Sequence, residues 1–240
     1  QRFDSLWEQI TVTDGHEGLV VYTKDRRVKV KRKFTVDGVI IGIDKTSKRW
    51  IDGKGIGSAY VAVTKKRPKY GTTYVSLGRV GTTGLTDEER MRLTEQVLGE
   101  DNANVIPVQQ TIEKAMEEEE TSTGLEDVIF VEPTTVVEVQ YETLLSERKA
   151  TFSIYRRQAS GKGARAKTQV MLVEKPVYAR RMRSSRIVNI RDDKNALNNL
   201  DVSHEQGETA GGFKIGARPN PAQEPKHIQL PYDMLEKFEQ

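Results

Sequence analysis

The 240-residue chain contains no cysteine, few aromatic residues (7%), and no apolar run near the ~20 residues that cross a bilayer. The missing cysteine excludes disulfides, thiolate zinc sites and cysteine nucleophiles, and it fits a reducing compartment. The first residues, Gln1-Arg2-Phe3-Asp4, include neither an initiator methionine nor a signal peptide and read as the middle of a gene. The three histidines, His16, His204 and His227, lack metal-ligand spacing. Hydrophobic residues make up 36% and charged residues 30%, a balance that suits a modest core with long polar excursions.

Charge is abundant but unevenly placed. Residues 1–80 carry 17 basic against 8 acidic side chains, and residues 146–194 carry 14 against 4. Between them, residues 81–145 carry 3 against 16, while residues 195–240 carry 4 against 7. The formal net charge of +3 hides this pattern. Two basic blocks flanking an acidic one suggest a polyanion bound by part of the surface; solvated loops are the alternative.

Periodicity predicts a mainly β protein with a few helices. Leu19 to Tyr22 is a compact β-branched run, and Val28-Lys29-Val30-Lys31 alternates, placing valines and lysines on opposite faces. Phe34–Asp44, introduced by Asp37-Gly38, and the runs at Ala59–Val63 and Thr72–Leu77 suggest a meander. The period then changes. Thr86 with Glu89 three residues on is a capping box, and Met91, Leu93, Val97 and Leu98 cover one side of a helix ending near Gly99. Val108 to Glu120 is a second helix candidate. Strand character returns at 128–131 and 135–141, in a hairpin through Phe152–Tyr155 and Val170–Val173, and at Arg186–Ile190. From Asn195 the chain is polar, with a short helix at Tyr232–Phe238. Strands around one helix in about 160 residues describe a small closed barrel, best matched by the five-stranded oligonucleotide-binding fold.

The order of short motifs goes further. Glu17-Gly18-Leu19-Val20-Val21 precedes Lys29-Val30-Lys31. The stretch from Gly78 through Thr86 to Glu89 follows, then Val131-Glu132-Pro133 with Val136 to Val139, and last Arg191-Asp192-Asp193-Lys194. This succession, over residues 12–194 and weaker at 145–180, resembles ATP-dependent DNA ligases, in the nucleotidyltransferase superfamily that also holds RNA ligases and mRNA capping enzymes. The resemblance implies the last strands of a nucleotidyltransferase (ATP-grasp-like) domain at 1–35, an oligonucleotide-binding domain at 36–194 and a polar tail at 195–240. It implies nick sealing in double-stranded DNA through enzyme–adenylate and DNA–adenylate intermediates, with ATP as AMP donor and magnesium.

Adenylyl transfer develops charge on phosphate oxygens, so it calls for cations and a divalent metal. By resemblance, Glu17 helps hold the metal and Gly18 lets the backbone turn close beside the nucleotide. Lys29 and Lys31, about 6.6 Å apart along one strand face, contact the α-phosphate. Arg191 and Lys194 swing over the site and orient the β- and γ-phosphates, with Asp193 orienting them; arginine suits bidentate phosphate binding. DNA phosphates are expected at Lys65, Lys66, Arg67 and Lys69; at Arg156, Arg157, Lys162, Arg165 and Lys167; and at Arg180, Arg181, Arg183 and Arg186, holding a duplex without reading its sequence. The nucleophilic lysine of the family's Lys-x-Asp-Gly sequence is absent from this chain, which alone is expected not to self-adenylate. The resemblance points to a monomeric, intracellular enzyme, cytoplasmic or nuclear or virus-encoded, with no membrane partner. The competing readings are a non-catalytic nucleic-acid-binding barrel and an RNA ligase or capping enzyme, the latter disfavoured by the Gly81–Glu89 segment.

Overall fold

The computed structural model describes residues 2–10, 18–22, 26–31, 33–67, 71–106, 125–158 and 169–194. The helix expected over Val108–Glu120 and everything from Asn195 on lie outside these residues. The elements are α1 (Arg2–Glu8), β1 (Gly18–Tyr22), β2 (Arg27–Lys31), β3 (Phe34–Asp44), α2 (Lys48–Ile51), β4 (Ser58–Arg67), β5 (Gly71–Gly81), α3 (Asp87–Leu98), β6 (Val128–Phe130), β7 (Val136–Tyr141), β8 (Thr143–Gln158), β9 (Gln169–Arg183) and β10 (Arg186–Ile190).

β3, β4 and β5 form the expected antiparallel meander. β7 runs antiparallel along β3 from Phe34↔Tyr141 to Val39↔Val136, and β10 runs antiparallel to β7. A parallel pairing, Arg186↔Gly81, joins β10 back to β5. The ring β3-β4-β5-β10-β7 is therefore closed, with α3 between its third and fourth strands in chain order. That Greek-key barrel is the oligonucleotide-binding fold. Closure leaves the five strands without an open edge.

The strands read as continuous apolar runs because both of their faces are covered. Inside the barrel lie Ile40, Ile43, Val61, Val63, Val137, Val139 and Ile187, closed by Leu93 and Val97 of α3. A second cluster, around Val39, Ile41, Tyr60, Tyr74, Phe130, Phe152 and Ile154, packs β6 and β8 on the barrel wall. Two glycines let β3 serve both layers. A Cβ on Gly38 would come within 2.3 Å of Val61 Cγ1, and one on Gly42 within 2.6 Å of Val128 Cγ1. The register also shifts between Ile40 and Gly42, a bulge that bends the strand round the barrel. Asp37-Gly38 is thus interior to a strand; it does not introduce one.

The helix that plugs the barrel starts as its sequence says. The Thr86 side chain accepts from the Glu89 N–H, and the Glu89 carboxylate accepts from the Thr86 N–H, completing the capping box. Its buried face differs from the expectation. Met91 is 42% exposed, and the buried residues are Arg90, Leu93 and Val97. Arg90, 2% exposed, fills the place because its guanidinium has acceptors on arrival: Thr82 Oγ1 at 3.0 Å, the Thr82 carbonyl at 3.1 Å, the Leu85 carbonyl at 2.9 Å and the Asp87 carboxylate. A buried charge is tolerable only when so paired.

Asp44, 2% exposed at the end of β3, is a second buried anchor. Burial raises its carboxyl pKa, but donors from Thr46, Ser58 and Arg79 outweigh that and hold it below the ordinary value. β1 and β2 form a separate two-stranded sheet, with Gly18↔Lys31 and Val20↔Lys29 in register. The hairpin expected at 152–173 is real and extends further in both directions. β8 and β9 pair from Thr143↔Arg183 to Gln158↔Gln169, including Tyr155↔Leu172.

Candidate functional site

The terminal motif follows β10 directly. The Arg191 N–H donates to the Val136 carbonyl, so the end of the barrel ladder fixes where the arginine begins. Its side chain is held by two carboxylates. Nε and Nη2 donate to the two oxygens of Asp193 at 2.8 Å each, the fork that a planar guanidinium makes with a carboxylate. Nη1 donates to Asp37 Oδ1 at 2.9 Å. Lys194 Nζ donates to the other Asp37 oxygen. Asp192 turns away and meets Gln96 and Arg92 of α3, at 3.2 and 3.6 Å. Asp193 holds Arg191 but not Lys194, where the sequence suggested both; Lys194 is held by Asp37, which was missed.

The electrostatics follow from these contacts. Hydrogen bonds to Asp193, with the negative charge of Asp37 and Glu138 nearby, hold the Arg191 guanidinium above its ordinary pKa against the burial that opposes them. The same Arg191 contact holds the Asp193 carboxyl down at about 2. A depressed carboxyl pKa stabilises the loop above the unfolded value near 3.9, and that contribution is lost as pH falls toward 2. A carbon-detected NMR titration of Asp193 is expected to show its midpoint near 2 in the parent chain and a rise toward the ordinary value in Arg191→Ala. A midpoint near 4 in both would mean that the fork does not form in solution.

The two lysines of β2 share a face but not a setting. Lys29 is exposed. Lys31 is half-buried, and its Nζ donates to Glu142 Oε2 at 2.7 Å, across to the residue that follows β7. That contact holds the Glu142 carboxyl below its ordinary pKa. Gly18 faces Lys31 in the same hairpin. Its need for glycine comes from the partner strand, since a Cβ there would lie 2.2 Å from the Val30 carbonyl oxygen. Glu17 lies outside the described residues.

The fold brings the two cationic groups together. Glu142, which takes Lys31, follows Tyr141, the partner of Phe34; Asp37, which takes Arg191 and Lys194, lies three residues along β3 and opposite Glu138. Glu142 lies four residues beyond Glu138, so at 3.3 Å per residue the two carboxylate positions are about 13 Å apart along the ladder. Residues from opposite ends of the described chain thus converge on one stretch of the β3–β7 pair.

The basic clusters fall into two places. Lys65 pairs with Thr73, and Thr73 pairs with Tyr155 on its other side, so the Lys65–Arg67 end of β4 and the Arg156–Arg157 stretch of β8 share one end of the sheet. Arg156 and Arg157 pair with Met171 and Val170. The side chains of Lys66, Arg67, Arg156 and Arg157, and all of Lys69, Lys162, Arg165 and Lys167, lie outside the described atoms. Arg183 and Arg186 sit toward the opposite end of β5, by the barrel closure at Gly81. Arg183 is exposed, whereas Arg186 is half-buried and donates to Gln140 Oε1 at 2.9 Å. Arg180 and Arg181 are half-buried, with their Nε atoms shielded from solvent. Among the described residues, no three of histidine, aspartate and glutamate are grouped as a metal site would need.

Comparison with solved structures finds the ligase domain of LigD from M. tuberculosis, 20% identical with a TM-score of 0.38, covering 79% of this chain and 48% of that one. Mycobacterial DNA ligase D complexed with ATP and MES is 20% identical with a TM-score of 0.33, covering 72% and 39%. A structure described as Pmar-Lig_PreS3 is 14% identical with a TM-score of 0.37, covering 79% and 30%. The chain therefore spans less than half the length of each of these. A search of curated proteins gave no match. The family described as ATP dependent DNA ligase C terminal region matches residues 52–194, more than half of the sequence. With these three TM-scores below 0.5, membership rests on the family match: the chain belongs to the ATP-dependent DNA ligases, as their C-terminal region.

Proposed function

We propose that this chain is the phosphate-handling and DNA-gripping part of a ligase that seals nicks in duplex DNA. In this reading residues 1–35 end a nucleotidyltransferase domain, residues 36–194 are the DNA-binding barrel, and the enzyme works as a monomer. A lysine nucleophile outside this sequence attacks the α-phosphate of ATP and pyrophosphate leaves. AMP then passes to the 5′-phosphate at the nick, and attack by the 3′-hydroxyl expels it. Lys29 and Lys31 contact the α-phosphate, and Arg191 and Lys194 orient the β- and γ-phosphates as pyrophosphate departs. Magnesium, which the resemblance brings with ATP, is tied to Glu17 alone, since the described residues do not make a metal site.

The observation that carries the proposal is the convergence of Lys31, Arg191 and Lys194 on one stretch of the β3–β7 ladder. Paired cations held by a rigid sheet suit charge that develops on phosphate oxygens. The placement of the Lys65–Arg67 and Arg156–Arg157 stretches at one end of the sheet supports a duplex lying there. From Thr73 to Gly81 β5 extends about 26 Å, nearly eight base steps at ~3.4 Å, so one duplex can meet both basic regions.

Reversing charge at Arg156, Arg157, Lys162, Arg165 and Lys167 tests the DNA-binding half. Fluorescence anisotropy with nicked duplex is expected to show weaker binding and a shallower salt dependence, the slope falling by about 0.9 for each phosphate that the protein no longer neutralises. Unchanged affinity and slope would remove these residues from the interface.

A further inference from the structure

Of the four cations assigned to phosphate, Lys29 is exposed, and the other three already sit on carboxylates of the barrel. Lys31 is on Glu142; Arg191 and Lys194 are on Asp37. Asp37 differs from Asp193. Asp193 belongs to the terminal motif and would travel with it, whereas Asp37 is fixed in β3, paired in register with Glu138. Its two oxygens each take a different cation, as two non-bridging oxygens of a phosphoryl group would. With Asp37 at 14%, Arg191 at 22% and Lys194 at 20% side-chain exposure, the contacts are largely withdrawn from water and less screened than an ordinary surface pair. Two cations and two carboxylates close on themselves with no net charge.

We infer that Asp37 is a positioning residue that stands in for nucleotide phosphate: it holds Arg191 and Lys194 against the barrel, and polyphosphate engages them by displacing it. The inference rests on the reading that these two side chains handle phosphate. Glu142, just past the end of the neighbouring strand β7, does the same for Lys31 independently. The barrel thereby stores the cations in a defined place and sets the electrostatic threshold that nucleotide must exceed. Uncharged loop residues would leave them solvated and scattered.

Asp37→Asn keeps the shape and removes the charge, while Asp37→Glu restores the charge. Inorganic pyrophosphate titrated calorimetrically into the 240-residue chain is expected to bind Asp37→Asn about tenfold tighter than the parent, close to the cost of one charge-assisted contact. The gain disappears when Arg191→Ala is added, and Asp37→Glu behaves like the parent. A purely structural Asp37 would leave pyrophosphate affinity equal or weaker in Asp37→Asn, and that result overturns the inference while leaving Arg191-dependent binding in the parent intact. If binding in no variant depends on Arg191, the phosphate-handling reading falls and the inference with it. Thermal melts report whether Asp37→Asn folds. Glu142→Gln runs the same titration on Lys31: tighter pyrophosphate binding supports the stand-in role, and equal or weaker binding counts against it.

Discussion

Replacing Arg191 with alanine, in the ligase that comprises this chain and the nucleophile-bearing segment, is expected to slow enzyme–AMP formation by about 10²–10³-fold, the usual loss when one preorganised donor to developing charge is removed. Sealing of a nick that already carries AMP is expected to change only a few-fold, because the proposed work of Arg191 ends when pyrophosphate leaves. The fold should survive. The backbone contact from Arg191 N–H to the Val136 carbonyl does not involve the side chain, and β10 is complete before the residue. Arg191→Lys is expected to recover only part of the rate, since an ammonium keeps the charge but not the fork seen on Asp193. Single-turnover transfer of label from ATP to protein, beside sealing of a pre-adenylated nick, separates the two steps. Equal loss in both would place Arg191 in DNA binding or in the fold.

The second large effect is on stability. Leu93→Ala removes the side chain by which α3 closes the barrel interior, where Leu93 has no exposed surface. A loss of about 3 kcal/mol is expected, within the range for buried leucine truncations, lowering Tm by roughly 6–12 °C in a domain of this size. Met91→Ala on the same helix should stay within about 0.5 kcal/mol, because Met91 faces solvent. Thermal denaturation of the two variants checks this directly. Similar losses at both positions would mean that the helix seats on the barrel by a different face.

That contrast shows what the sequence could and could not say about α3. The capping box marked its start, and hydrophobic spacing marked Leu93 and Val97. Met91 looked equally apolar, and hydrophobic spacing gave no sign of Arg90. What buries Arg90 is a set of carbonyl and hydroxyl acceptors at Thr82 and Leu85 that exist only once the turn before the helix has folded. Strand positions such as Arg186–Ile190 were legible because β-branched runs mark themselves. A closed barrel was expected from strands around one helix, but the pair that closes it was not, because Arg186↔Gly81 joins distant parts of the chain through backbone groups that carry no residue code.

Asp37 was hidden for a related reason. Asp-Gly reads as a turn signal. Here the glycine answers to the Val61 side chain pressing on β3, and the aspartate answers to Arg191 and Lys194 far along the sequence. The cations themselves were found from their order and type. Their convergence on one ladder, and the carboxylates that hold them, required the fold.

The most direct test of the central claim is a sealing assay. The protein comprising this chain and a segment bearing the Lys-x-Asp-Gly nucleophile would be given labelled ATP and a nicked DNA duplex, with a nicked RNA duplex in parallel. Label is expected on the protein, then on the DNA 5′-phosphate, and finally a sealed DNA strand with free AMP, with the RNA duplex left largely open. Protein that binds nicked DNA but never takes up AMP, or that seals only RNA, would contradict it.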